Sequence, residues 1–225
     1  MPDKFVDWSK TTTSRDYRGS SSFATFMIVG PIFFFLGMIF TQLPYDYPLL
    51  WTSAPVDPSY IAELETHLKF LHQSPPLISR MLSIMIGVGF LGLFIKLFKA
   101  SEANMLFDGA SLVMYLIGVG IYVANIVKGL RMVSADYWNS EDYLRAKAEE
   151  VAGQQQSLVL GKEDSLKVLA ASNTILALVL IGVLVLQAGQ WYAERKDLQE
   201  IEKAAAEAAQ AEQVPGSPRL SKKKQ

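Results

Sequence analysis

Phe23–Trp51 reads FATFMIVGPIFFFLGMIFTQLPYDYPLLW, an apolar run that gives way to a cluster of Pro, Tyr and Asp. From Phe23 to Leu43 twenty-one residues pass without a charge. At about 1.5 Å rise per residue a helix of that length crosses a hydrocarbon core of about 30 Å. Pro31 lies inside the run and removes the donor for the Met27 carbonyl, a loss that a span packed against other helices absorbs. At Pro44 the helix is expected to end in a turn. Tyr45, Tyr47 and Trp51 are the aromatic types that settle at a membrane–water interface. An ordinary span with an aromatic belt accounts for the same residues.

Three further apolar blocks follow, at 77–98, 108–127 and 168–189. Half of the 225 residues are apolar, and they concentrate in these four blocks. The expected fold is an all-α membrane protein of four transmembrane helices. Between the spans lie loops at 44–76, 99–107 and 128–167, and residues 190–225 form a tail. Residues 1–22 are polar and too long for the n-region of a signal peptide, so the first span reads as an uncleaved signal-anchor.

Both large loops are expected to carry short helices. Asp57-Pro58 is a helix start, Asp as N-cap and Pro at the first helical position, and Ile61, Leu64, Leu68 and Leu71 recur at helical spacing. Ser140 opens a second helix-favouring run that closes at Gly153. Trp138 and Tyr137 are placed at the interface. In the tail, Glu and Lys alternate in a strongly helical stretch up to Val214-Pro215, beyond which SPRLSKKKQ is expected to be disordered.

The charged residues near the spans are few. Arg80 and Lys96 flank the second span and are expected to snorkel to the two interfaces. Gly87, Gly89 and Gly92 favour close helix approach. Asp108 reads first as an N-cap at the entrance of the third span; the other reading is an intramembrane pairing or contact residue. Tyr115, Tyr122 and Asn125 give that span a polar edge, whereas ILALVLIGVLVL makes the fourth span smooth.

Composition excludes several chemistries. The net charge of −1 argues against a nucleic-acid partner, and the absence of cysteine removes disulfides, thiolate nucleophiles and zinc-thiolate sites. His67 and His72, the two histidines, stand five apart on one polar helix and make no metal cluster. No catalytic constellation, cofactor motif or repeated broken helix is present, so neither enzyme nor transporter is the first expectation.

Orientation follows from Lys and Arg. With four spans the two termini share a side with the short connection, and that side holds thirteen of the basic residues against eight. The excess places both termini in the cytosol and the two large loops in the lumen. Lys222 and Lys223, fourth and third from the end, match a dilysine retrieval signal to the endoplasmic reticulum.

Three segments carry a resemblance: LPYDYPLLW after the first span, FIKLFKASEANMLFDGASL between the second and third, and IYVANIVKGL after that. Together with the order and spacing of the spans from Phe23 to Trp191, they resemble the fungal packaging chaperone of amino-acid permeases, the secretory component protein family. The resemblance implies a non-enzymatic resident of the endoplasmic reticulum membrane that needs no cofactor. It would hold new amino-acid permeases through its spans, prevent their aggregation and help present them to vesicle coat proteins (COPII) for the secretory pathway. Pro31, Pro44, Tyr45, Asp46, Tyr47 and Asp108 are then the candidate client contacts. The alternative is an accessory subunit of a transporter, or a small four-span transporter.

Overall fold

The first helix does not stop at Pro44. In the computed structural model, which describes residues 18–53, 55–98, 102–151 and 160–212, α1 runs Arg18–Leu50 through Pro31, Pro44 and Pro48. The expected turn at PYDY is therefore helix. Each proline leaves the carbonyl four residues earlier without its usual amide donor, but the ring's φ is already helical. Packing holds the rest: Asp46 and Leu49 on this last stretch are buried.

The following elements are α2 (Pro58–His72), α3 (Pro76–Leu97), α4 (Glu102–Ile121), a π-helical segment Tyr122–Val127, α5 (Lys128–Ser134), a 3₁₀ turn Tyr137–Asn139, α6 (Glu141–Val151) and α7 (Lys162–Glu212). No strand occurs among the described residues. Four stretches are long and apolar enough to cross a membrane: Ser22–Leu50, Pro76–Leu97, Leu106–Ser134 and Lys162–Glu207. The chain is an all-α, four-span membrane protein.

Within the spans, small residues set the approach of the helices. A Cβ on Gly92 would stand 2.9 Å from the Ala24 carbonyl and from side-chain atoms of Met27 and Ile28, so α1 and α3 cross in near backbone contact there. A Cβ on Gly89 would collide with the Tyr115 ring, which lies in that notch and donates its hydroxyl to the Ile86 carbonyl at 3.2 Å. Gly87 faces open space, so two of the three glycines serve packing. Ile28, Ile32, Leu93, Tyr115, Leu176, Leu180 and Val183 form the mid-span core. Lipid competes equally for apolar surface, so this core is held by close fit and polar contacts rather than by expulsion of water.

At the loop end of the bundle a second core forms from Leu49, Leu64, Leu68, Val133, Trp138, Tyr143, Leu166 and Leu169. Asp57 caps α2 as expected, its Oδ1 accepting the Ser59 N–H at 3.0 Å. Leu64 and Leu68 are buried, with Ile61 and Leu71 packed beside them. Ser140 accepts the Tyr143 N–H at the start of α6. Gly153 lies outside the described residues. Outside the hydrocarbon, burial of each leucine contributes about 1.5–3 kcal/mol, so the two short helices have a driving force that the spans lack.

Candidate functional site

Two features set this bundle apart: a buried polar cluster that locks α3, α4 and α7 together, and an aromatic face of α1 that no other helix covers among the described residues.

The polar cluster sits at the end of the bundle where α1 begins and α7 leaves the spans. Asp108 is not an N-cap, because α4 begins six residues earlier at Glu102; it is 1% exposed and 3.6 Å from the Lys96 ammonium. Lys96 does not snorkel either. It is 6% exposed and donates to Gln187 Oε1 and Gln190 Oε1, both at 2.8 Å. The two glutamines turn their amide nitrogens back on Asp108, Gln187 at 3.2 Å and Gln190 at 2.7 Å, and Gln187 also reaches Ser111 at 3.0 Å. Every member thus satisfies another, and the cation and the carboxylate cancel. That balance is what makes burial tolerable, since an isolated ion in this setting costs several kcal/mol. The third and fourth spans are therefore locked by groups that face inward. The glutamines stand three apart on one helical face, and the smooth centre of the fourth span gives no hint of them.

At the opposite end smaller polar contacts also bridge the helices. Asn173 donates to Asp46 Oδ2 at 2.9 Å, joining α7 to α1, and Asn125 in the π-helical segment donates to Ser172 at 3.1 Å. Of the expected polar edge of the third span, Tyr115 is buried and Tyr122 half-buried, while Asn125 stays exposed even as it bonds across to α7. Tyr45 stacks on His67 with ring centroids 3.9 Å apart, and the Tyr60 hydroxyl donates to the Tyr45 carbonyl at 2.6 Å. His67 also hydrogen-bonds Gln42, and burial holds its pKa below the ordinary 6.5. Burial alone would raise Glu65, but hydrogen bonds from Lys162 and Lys69 outweigh it and hold the carboxyl low. These contacts dock α2 against α1 and α7.

The uncovered face of α1 has a regular composition. Phe23, Phe26, Gly30, Phe33, Gly37, Phe40, Pro44, Tyr47 and Trp51 succeed one another at spacings alternating three and four, and all are exposed. Phe33 is 60% and Phe40 73% exposed, while Gly30 and Gly37 have nothing within contact distance. The result is a ridge of aromatic knobs separated by two glycine notches. Pro44 removes the amide donor of the Phe40 carbonyl, so backbone acceptor capacity is released on the same face.

The six residues expected to contact a client thus divide. Pro44, Tyr45 and Tyr47 are exposed on or beside the ridge; Pro31, Asp46 and Asp108 are buried within the bundle. The structure does not bring them together as one site. Lys222 and Lys223 lie outside the described residues. Gln187, Gln190 and Asn173 carry no local signal that sequence reasoning finds, whereas the phenylalanine spacing of α1 is visible in the sequence.

A four-span helical bundle, with polar contacts between helices at both ends and aromatic side chains on one outer face, defines the class as a multi-pass membrane protein. The family model described as ER membrane protein SH3 matches residues 19–225. The chain belongs to this SHR3 chaperone family, and it is a multi-pass chaperone of the endoplasmic reticulum membrane. No curated protein and no solved structure matches the chain.

Proposed function

We propose that this chaperone, which is no enzyme, assists the folding of amino-acid permeases and their packaging into transport vesicles, with both termini in the cytosol. Family membership supports the chaperone part, and the exposed aromatic ridge of α1 is the observation that carries the mode of action. A permease whose spans are incompletely assembled exposes notches and polar edges in lipid. Helix contacts there depend on shape and hydrogen bonding, because lipid tails cover apolar surface equally well. Phenylalanine knobs alternating with glycine notches offer shape, and the released carbonyl near Pro44 offers an acceptor. Such contacts are weak, so a client leaves once its own helices close. Pro44, Tyr45 and Tyr47 belong to this surface; Pro31 and Asp46 lie on the inner side of α1, and Asp108 holds α4 to α3 and α7. Lys222 and Lys223 supply the retrieval signal, and the tail of α7 meets vesicle coat proteins.

Photo-crosslinkers at Phe33 and Phe40 in microsomes test the reading. Permeases in transit are expected as the main trapped partners, with no product from a crosslinker at buried Leu93. In cells lacking the protein, permeases should insert but aggregate in the endoplasmic reticulum, while sugar transporters leave normally. Permeases reaching the surface in normal amounts without it would overturn the proposal.

A further inference from the structure

A cavity of about 420 Å³ opens at the loop end of the bundle, between the π-helical segment, α5, α6 and the first turns of α7. It is unrelated to the α1 ridge. Its volume lies in the range of small-molecule sites, about 300–1,000 Å³. Met132, Leu166 and Leu169 give it an apolar floor, and Lys128 is the single charged residue among the described residues of its lining. Lys128 is exposed and makes no ion pair among the described residues. Lys162, whose ammonium stands 5.7 Å from the Trp138 ring centroid, pairs with Glu65, and Lys167 pairs with Glu163. Trp138 stands in the cavity wall, 7% exposed, and its indole N–H is the one buried side-chain polar atom without a partner among the described residues. Buried donors are nearly always paired, and an unpaired one asks for an explanation. The wall beside it is π-helical, a rare geometry that recurs at functional sites.

The position narrows the ligand. The cavity lies between the end of one candidate span, Leu106–Ser134, and the start of another, Lys162–Glu207. A molecule there has an apolar part against leucines, an anionic part at Lys128 and an oxygen acceptor for an indole N–H. Among the described residues no carboxylate lines the cavity to oppose an anion. We propose that it binds one anionic phospholipid, its phosphate paired with Lys128 and an ester or phosphate oxygen accepting from the Trp138 indole. Neighbours screen the N–H from solvent, and a rotation of the ring would bring it to the lipid. The chaperone would then carry a structural lipid that braces α5 and α6 on α7.

Brominated lipid tests this on the full chain in detergent micelles, with Trp8, Trp51 and Trp191 replaced by phenylalanine so that Trp138 alone emits. Brominated phosphatidylserine is expected to quench Trp138 saturably, about tenfold more tightly than brominated phosphatidylcholine. Lys128→Gln should weaken phosphatidylserine about fivefold, the effect of one interfacial cation, and Lys128→Arg should restore it. Ala146→Phe, which fills the cavity from α6, should abolish saturable quenching with helical circular dichroism unchanged. In the chain with all its tryptophans, Trp138→Phe should retain several-fold less phosphatidylserine by native mass spectrometry. Quenching that rises linearly with lipid fraction, equal affinity for the two lipids, or indifference to Lys128→Gln would each overturn the site.

Discussion

Asn173 and Asp46, 127 positions apart, meet through a 2.9 Å hydrogen bond that ties α7 to the last turns of α1. Asp46 is 7% exposed, so its carboxylate looks into the bundle rather than towards a client. Asp46→Ala is expected to leave the Asn173 amide without an acceptor and to destabilise the protein by about 1–3 kcal/mol. Thermal unfolding in detergent and steady-state level both read this out. A variant of normal stability that fails only towards permeases would instead make Asp46 a contact residue.

Lys96 and Asp108 should behave as a unit with Gln187 and Gln190. Lys96→Met strands a buried carboxylate, and a loss of about 3–5 kcal/mol is expected. The double change Lys96→Met with Asp108→Leu removes both charges and should recover most of that loss. A double variant as unstable as the single one would mean that the glutamines, not the ion pair, hold the cluster.

The ridge predicts the reverse pattern. Phe33→Ala and Phe40→Ala remove exposed rings, so stability should change by no more than about 0.5 kcal/mol. Permease export should fall all the same. Replacing Gly37 with Leu should act likewise by filling the notch. Lost export with lost stability would place these rings in the fold.

Docking of α2 should weaken in acid, in two stages. His67 is held below 6.5 in the fold, so the unfolded segment takes up protons first and stability drains away as pH falls from about 6.5 towards the folded value. Glu65 is held below its ordinary 4.5, so its contribution is present above that value and is lost below it. Hydrogen exchange of α2 amides between pH 7.5 and 4 should show the onset near 6.5. His67→Phe should remove the first stage and keep the second.

Orientation is checked with glycans, as no natural sequon occurs. A sequon near Glu63 should be glycosylated and one in the tail should not. Lys222→Ser with Lys223→Ser should let part of the protein reach later compartments.

Much of the fold was legible because span length, the Asp57-Pro58 cap and the leucine spacing of α2 are local signals. Helix continuation through Pro44 and Pro48 was not, since proline's local cost is overridden by burial of Asp46 and Leu49 against distant residues. Lys96 and Asp108 misled for the same reason. Each near a span end looks like an interfacial charge, and only partners 79 to 94 positions away on α7 make an inward position stable. Of the site, the aromatic composition of α1 was evident, but which faces of a helix stay uncovered depends on packing, and that is a property of the assembled bundle.

The length of α7 has a mechanical consequence. Its 51 residues extend about 75 Å, more than twice the hydrocarbon thickness. Beyond Gln190 the helix continues as a stiff arm of about 33 Å reaching into the aqueous phase. A tilt of only about 5° at the cluster around Asp108 would sweep the far end through about 3 Å, so a small repacking among the spans would be magnified along this helix.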